Sequence, residues 1–234
     1  GAAAPVARFD TPAGEAVGEQ LLALLEGDDA TAARALLLAL YVGGWPVAGI
    51  CDGPMRYALE AVGTLWQHGP GGIVIEHRAT DTCVRALAEM RTLFGPPAAG
   101  APVALGAAPT GDPYLVPSMM AAAVLADLGY GDHNLGPEVP MTALDDAVES
   151  YRPGIVWLAM SVVRDDDALA AAAVELAGRL AARGATLVVG GRGVPALAPT
   201  AGLLRLHSMA ELAAFARGAW AVSTAHPAGN RRVQ

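Results

Sequence analysis

From Val103 onward, short unbroken apolar runs alternate with longer runs of helical period, and this alternation restricts the possible folds more than any other feature of the chain. The clearest runs are VALGAA from Val103, GIVWLAMS from Gly154 and ATLVVGG from Ala185. Each is too short for a helix and lacks the polar alternation of a half-exposed strand, so each reads as a strand covered on both faces, as in a parallel sheet. GDHNLG from Gly131 reads as a weaker strand and LLRLH from Leu203 as a short one. Ser118–Gly129, Thr142–Tyr151, Asp166–Arg183 and a last segment around Met209–Ala216 read as helices. The expected result is a five-stranded, doubly wound, flavodoxin-like sheet. In that strand order the loops Pro109–Pro117, Ser161–Asp165 and Gly190–Pro195 meet at the carboxyl edge, where α/β folds hold ligands.

The first part of the chain reads differently. Pro12–Glu26 carries apolar residues at helical spacing and stops at Gly27, and DDATAARALLLALYVGG opens with Asp/Thr capping chemistry and closes at Gly43–Gly44. Segments Val47–Gln67 and Ile73–Phe94 complete four helices, and four helices with short loops predict an antiparallel bundle. GPPAAGAP then interrupts both patterns. The expected organisation is a bundle over residues 10–95, a Pro/Gly linker over 96–102, an α/β domain over 103–220 and a tail over 221–234.

Composition excludes several functions. Hydrophobic residues make up 53% of the 234 residues, yet charges interrupt them before the roughly 18 to 20 apolar residues of a membrane span accumulate. A soluble, cytoplasmic protein is expected. A net charge of −8, with the arginines scattered, argues against direct binding of nucleic acid. Cys51 and Cys83 share no CxxC spacing and read as buried thiols, with no metal site expected. No nucleophile–base pair, carboxylate dyad or HExxH is present, so enzymatic turnover is not indicated, and His133, His207 and His226 lie apart without an evident role.

One constellation in the helical half could carry chemistry: LWQHGPGGIVIEHRAT, with Trp66 near the end of the third helix and Glu76–His77 at the start of the fourth. An indole can cover a flat ligand, and a carboxylate beside an imidazole offers an acceptor and a proton-switchable donor or metal ligand. A core Trp and a surface Glu–His pair is the plainer alternative. In the other half, TGDPYLVPS from Thr110 occupies the first loop of the carboxyl edge but has no phosphate-type glycine pattern, no His and no Cys.

The W-x9-E-H spacing, the ALLEGDDATAARALL bundle, the Pro-rich connection and the doubly wound domain ending in VVGG together resemble the cobalamin-binding module of methionine synthase and of CarH-type light-sensing repressors. The resemblance runs from about Pro12 to Ala216 and implies a tetrapyrrole held between bundle and sheet. It implies that Trp66, Glu76 and His77 roof the upper face of the corrin, and that Gly190 and Gly191 match the family's glycine pair. A His that often follows the Trp is Gln67 here. The family's D-x-H-x-x-G motif, whose His binds cobalt from below, whose Asp holds that His and whose Gly gives the nucleotide tail room, falls on Asp112, Tyr114 and Pro117. The Ser that contacts the lower base has its nearest counterpart in Ser161, with Ala159 or Met160 in the expected register.

Three readings follow from that departure. The protein binds cobalamin, in an adenosyl or hydroxo form, without coordination from below. Alternatively the pocket has passed to a bilin such as biliverdin, or to haem, with Tyr114 as donor or ligand. Otherwise the module is a ligand-free interaction scaffold. The resemblance favours a sensory or regulatory module acting through homo-oligomerisation or through a partner transcription regulator, with a DNA-binding domain absent from this stretch. A corrinoid methyl carrier is disfavoured by the loss of the lower His.

Overall fold

The computed structural model describes residues 12–65, 70–163 and 167–225. The helical part comprises α1 (Pro12–Glu26), α2 (Ala30–Val42), α3 (Val47–Ile50), α4 (Arg56–Val62) and α5 (Pro70–Arg91). The α/β part follows as β1 (Val103–Ala107), α6 (Leu115–Asp127), β2 (Gly131–Asn134), α7 (Met141–Tyr151), β3 (Ile155–Ala159), α8 (Asp167–Ala181), β4 (Thr186–Gly190), β5 (Leu203–Leu206) and α9 (Met209–Ala225).

Helix α2 starts where the sequence places a cap: the Asp29 carboxylate accepts the Ala32 N–H at 2.9 Å. The third helix departs from expectation. Instead of running unbroken from Val47 to Gln67, it gives way at Cys51–Met55 to a wider π-type turn in which Gly53 leaves helical geometry. The cause is Pro54, which lacks an N–H and crowds the carbonyl four residues before it. Its last α-helical part, α4, ends at Val62, short of the expected Gln67, which lies outside the described residues.

The sheet is parallel with order β2-β1-β3-β4-β5, as the alternation of runs predicts. Alternate residues of the central strands enter two separate cores. Ala104, Ile155, Trp157 and Val188 face α6, α9 and the helical bundle. Leu105, Val156, Leu158, Leu187 and Val189 face α7 and α8. The bundle therefore extends one face of the α/β sandwich, and its Leu21, Leu37, Met55 and Leu87 share a continuous core with that face.

Polar anchors at both edges fix the register of bundle on sheet. At the amino edge, Arg91 in the last turn of α5 donates to Asp132 of β2 at 2.9 Å, and Tyr41 of α2 donates to Asp127 at the end of α6 at 3.0 Å. At the opposite edge, the Asp52 carboxylate in the π-type turn accepts the Met209 and Ala210 N–H groups at the start of α9, both at 2.8 Å. A helix N-terminus presents unpaired N–H groups and positive partial charge, so a carboxylate from another element caps it.

With its last turn held at the amino edge and its body packed along α6, α5 reaches the carboxyl edge with its first turns. The rise from Arg91 back to His77 is about 21 Å at roughly 1.5 Å per residue, close to the full length of α6. The first half of α5, which carries Glu76 and His77, therefore runs toward the carboxyl-edge end of α6.

Candidate functional site

The three loops expected to converge at the carboxyl edge are stitched together by hydrogen bonds. Asp112, in the loop after β1, is buried, with 2% of its surface exposed. Its Oδ1 accepts the Tyr114 N–H at 3.2 Å, and its Oδ2 accepts the N–H groups of Ser161 and, at 3.2 Å, Val162, both in the loop after β3. From there Met160 donates to the Gly190 carbonyl at 2.8 Å and accepts from Gly193 at 2.9 Å, which binds in the loop after β4. Arg192 closes the circuit by donating through Nε to the Ser161 carbonyl at 3.2 Å.

Gly191 sits at the tightest approach. Its φ of +110° lies in the region that L side chains avoid, and a Cβ there would stand 2.1 Å from the Met160 carbonyl oxygen. The pair Gly190–Gly191 thus has a structural reason in the contact between the third and fourth loops.

Beneath this platform runs a second network. The Trp157 indole N–H donates to the Ser118 hydroxyl at 3.0 Å, Ser118 donates to Asn134 Oδ1 at 2.8 Å, and that oxygen also accepts the Gly136 N–H at 3.0 Å. Trp157 and Ser118 are both buried. Trp157 lies over Gly106 of β1, where a Cβ would stand 2.1 Å from the indole. A glycine inside a strand run is a signal of close approach by a neighbouring group. Nothing local in the sequence identifies the indole as its partner.

The side chains singled out in the sequence divide into three groups. Asp112, Ser161, Gly190 and Gly191 come together in the loop platform, Ser161 through its backbone. Tyr114 lies on the same first loop with 46% of its surface exposed. Glu76 and His77 stand on the first half of α5; the His77 side chain is 76% exposed, and its Nε2 lies 3.8 Å from Glu76 Oε2. Glu76 Oε1 accepts the Thr80 hydroxyl at 3.1 Å. Trp66 and Gln67 lie outside the described residues.

The fit to a corrin is uneven. The roof side offers His77 with its ring open to solvent, flanked on α5 by the exposed Ile73 and Val74. The platform side offers no imidazole at position 114, and the carboxylate that would orient one is engaged with backbone N–H groups. Among the described residues no three His, Cys, Asp or Glu side chains gather closely enough to hold a metal ion by themselves. None of the described helices is long and apolar enough to cross a membrane.

Comparison with known proteins places this architecture. Residues 19–90 match the family described as the B12 binding domain. The fold is similar to that of the monomethylamine corrinoid protein of Methanosarcina barkeri, with a TM-score of 0.62 and 16% identity over 87% of this chain and 98% of that one. The methanol:cobalamin methyltransferase complex of the same organism is similar at a TM-score of 0.44 and 16% identity, over 88% of this chain and 80% of that one. No curated protein sequence matches the chain. Residues 19–90 are thus similar to the B12 binding domain, and the chain as a whole shares the fold of the monomethylamine corrinoid protein, a helical part followed by a Rossmann-like parallel sheet.

Proposed function

We propose that this chain is a cobalamin-binding regulatory module that holds its ligand between the first half of α5 and the stitched loops of the carboxyl edge. Residues 10–95 serve as the cap and 103–220 as the platform. Trp66, Glu76 and His77 cover the upper face, and Asp112, Tyr114, Ser161, Gly190 and Gly191 form the lower one. When bound, cobalamin supplies a cobalt centre whose upper ligand is exchangeable and, in the adenosyl form, light-labile. The protein's own groups position the macrocycle, exclude water from it and offer an imidazole from above.

The observation that carries this reading is the engagement of Asp112. Its carboxylate ties the first loop to the third instead of orienting an axial imidazole, and position 114 is Tyr. A neutral imidazole suits cobalt, whereas a phenol of pKa around 10 is a poor ligand without strong acidification by the metal. A methyl carrier tunes its cobalt through the groups behind its axial ligand. Lacking that arrangement, the module is better suited to sensing the ligand than to turning it over, with homo-oligomerisation or contact with a partner regulator as its output.

The test is to mix the purified chain with hydroxocobalamin and, in the dark, adenosylcobalamin, then record absorbance and elution from a sizing column before and after illumination. Retention of corrinoid absorbance on the protein, with a change in elution on illumination, is expected. If neither form is retained, the cobalamin reading falls. The exposed phenol of Tyr114 on the platform favours a second reading, a bilin or haem in the same place. Retention of biliverdin or haem where cobalamin is not retained would select it.

A further inference from the structure

Open parallel sheets take ligands at the switch point, where connections leave adjacent strands toward opposite faces. Here that point lies between β1 and β3: β1 leads to α6 on one face and β3 leads to α8 on the other. A ligand that reaches below the loop tips at this point passes between the sheet and the first turns of α6.

That passage is filled. The Trp157 indole, 2% exposed, lies flat over Gly106 and is tied through its N–H to Ser118, which is fully buried in the first turns of α6. Ser118 is held in turn by Asn134 of β2. Pro117 precedes Ser118 within α6, and its fixed φ leaves the backbone little freedom to open. Asp112 bridges from the first loop to the third and ties these two loops together at the carboxyl edge. Displacing Trp157 would break its hydrogen bond to Ser118 and expose a buried indole, so the barrier belongs to the folded core and not to a mobile side chain.

Building on the cobalamin reading above, we infer that Trp157 is a specificity-determining residue: it confines the site to macrocycles lying across the loop tips and excludes any appendage that must pass beneath them. Among corrinoids, those without a nucleotide tail are admitted. Those with a tail are admitted with their own base remaining on cobalt.

The experiment compares cobalamin with cobinamide, the corrinoid that lacks the nucleotide, on the intact wild-type chain at neutral pH. Dissociation constants within about tenfold of each other, and a bound cobalamin whose spectrum keeps the base-on form, are expected. Cobalamin bound more than about a hundredfold tighter, or bound with a base-off spectrum, would overturn the inference while leaving cobalamin binding intact. Binding of neither would overturn the cobalamin reading itself and the inference with it. Trp157→Ala provides a complementary measurement: in variant protein that keeps its far-ultraviolet circular dichroism, the preference is expected to move toward cobalamin, and an unchanged ratio would overturn the assignment to Trp157.

Discussion

Asp112, in the loop after β1, accepts the backbone N–H of Val162, in the loop after β3, at 3.2 Å. The same oxygen accepts the neighbouring N–H of Ser161, so one buried carboxylate fastens two loops that enter different helices. Neither loop has a regular partner for these N–H groups, and an unpaired buried N–H is costly. The carboxylate therefore defines the shape of the platform before any ligand is present.

Asp112→Asn tests this. The amide keeps one oxygen but turns an NH2 toward N–H donors, so part of the network is lost. Hydrogen bonds to charged groups contribute about 1.5 to 3 kcal/mol each, and a loss of roughly that size in unfolding free energy is expected from urea titration. An unchanged midpoint and slope would show that the staple does not hold the loops.

The fold was legible in the sequence because each central strand is apolar on both faces and each covering helix is bounded by Gly or Pro, so local pattern and global architecture agree. The break at Cys51–Met55 was the exception. Gly53–Pro54 was visible, yet a helix can bend at proline without ending, and the sequence alone leaves open which occurs. The site was legible only in outline. Asp112 and Ser161 can be named from their loops, but the carboxylate's partners are backbone N–H groups, which every residue carries and no motif records. Trp157 was hidden for the opposite reason: an indole within a buried strand reads as core, and its relation to Gly106 and Ser118 exists only once β1, β3 and α6 have packed.

Asp52 predicts a pH effect. Burial raises its pKa, while the Met209 and Ala210 N–H groups oppose the rise. A carboxyl whose folded pKa lies above its unfolded value favours the folded state most when protonated. Its contribution is present below the unfolded pKa and diminishes as pH rises through the folded one. Asp52→Asn keeps an acceptor for the α9 cap and removes the titration, so thermal melts from acid to neutral pH are expected to show a smaller decline on the alkaline side than wild type. Asp52→Ala removes the cap as well and is expected to lose about 0.5 to 2 kcal/mol.

Both cysteines are buried in the helical bundle, and burial pushes the Cys83 thiol up to about 12 and the Cys51 thiol higher still. Since the thiolate is the reactive form, neither is expected to react with an aromatic disulfide reagent at pH 8 in the native state. Both are expected to react in denaturant. Rapid native labelling of either would mean that the bundle core opens readily.

His77 separates function from stability. Its side chain is 76% exposed, and its only ionic neighbour among the described residues is Glu76 at 3.8 Å, a surface contact of little energetic weight. His77→Ala is expected to leave the unfolding midpoint within experimental error. If His77 covers the macrocycle from above, the same variant lowers corrinoid affinity and alters the absorbance of the bound ligand. Unchanged spectra and affinity would remove His77 from the site without touching the fold.

Gly106→Ala tests the packing beneath the platform. A Cβ at this position would stand 2.1 Å from the Trp157 ring, so the indole must shift, and its bond to Ser118 lengthens or breaks. Overpacking of a filled core typically costs about 1 to 3 kcal/mol, and a loss in that range is expected for Gly106→Ala in urea unfolding. Trp157→Leu alone is expected to be destabilising too, through the lost ring and the lost bond to the Ser118 hydroxyl. The double variant Gly106→Ala/Trp157→Leu provides the decisive comparison, because the methyl group can occupy space vacated by the ring. Residues in direct contact show coupling of about 0.5 to 3 kcal/mol, and the double variant is expected to be more stable than the sum of the single losses by an amount in that interval. Strict additivity would mean that the indole does not lie over Gly106, and the barrier between sheet and α6 would lose its physical basis.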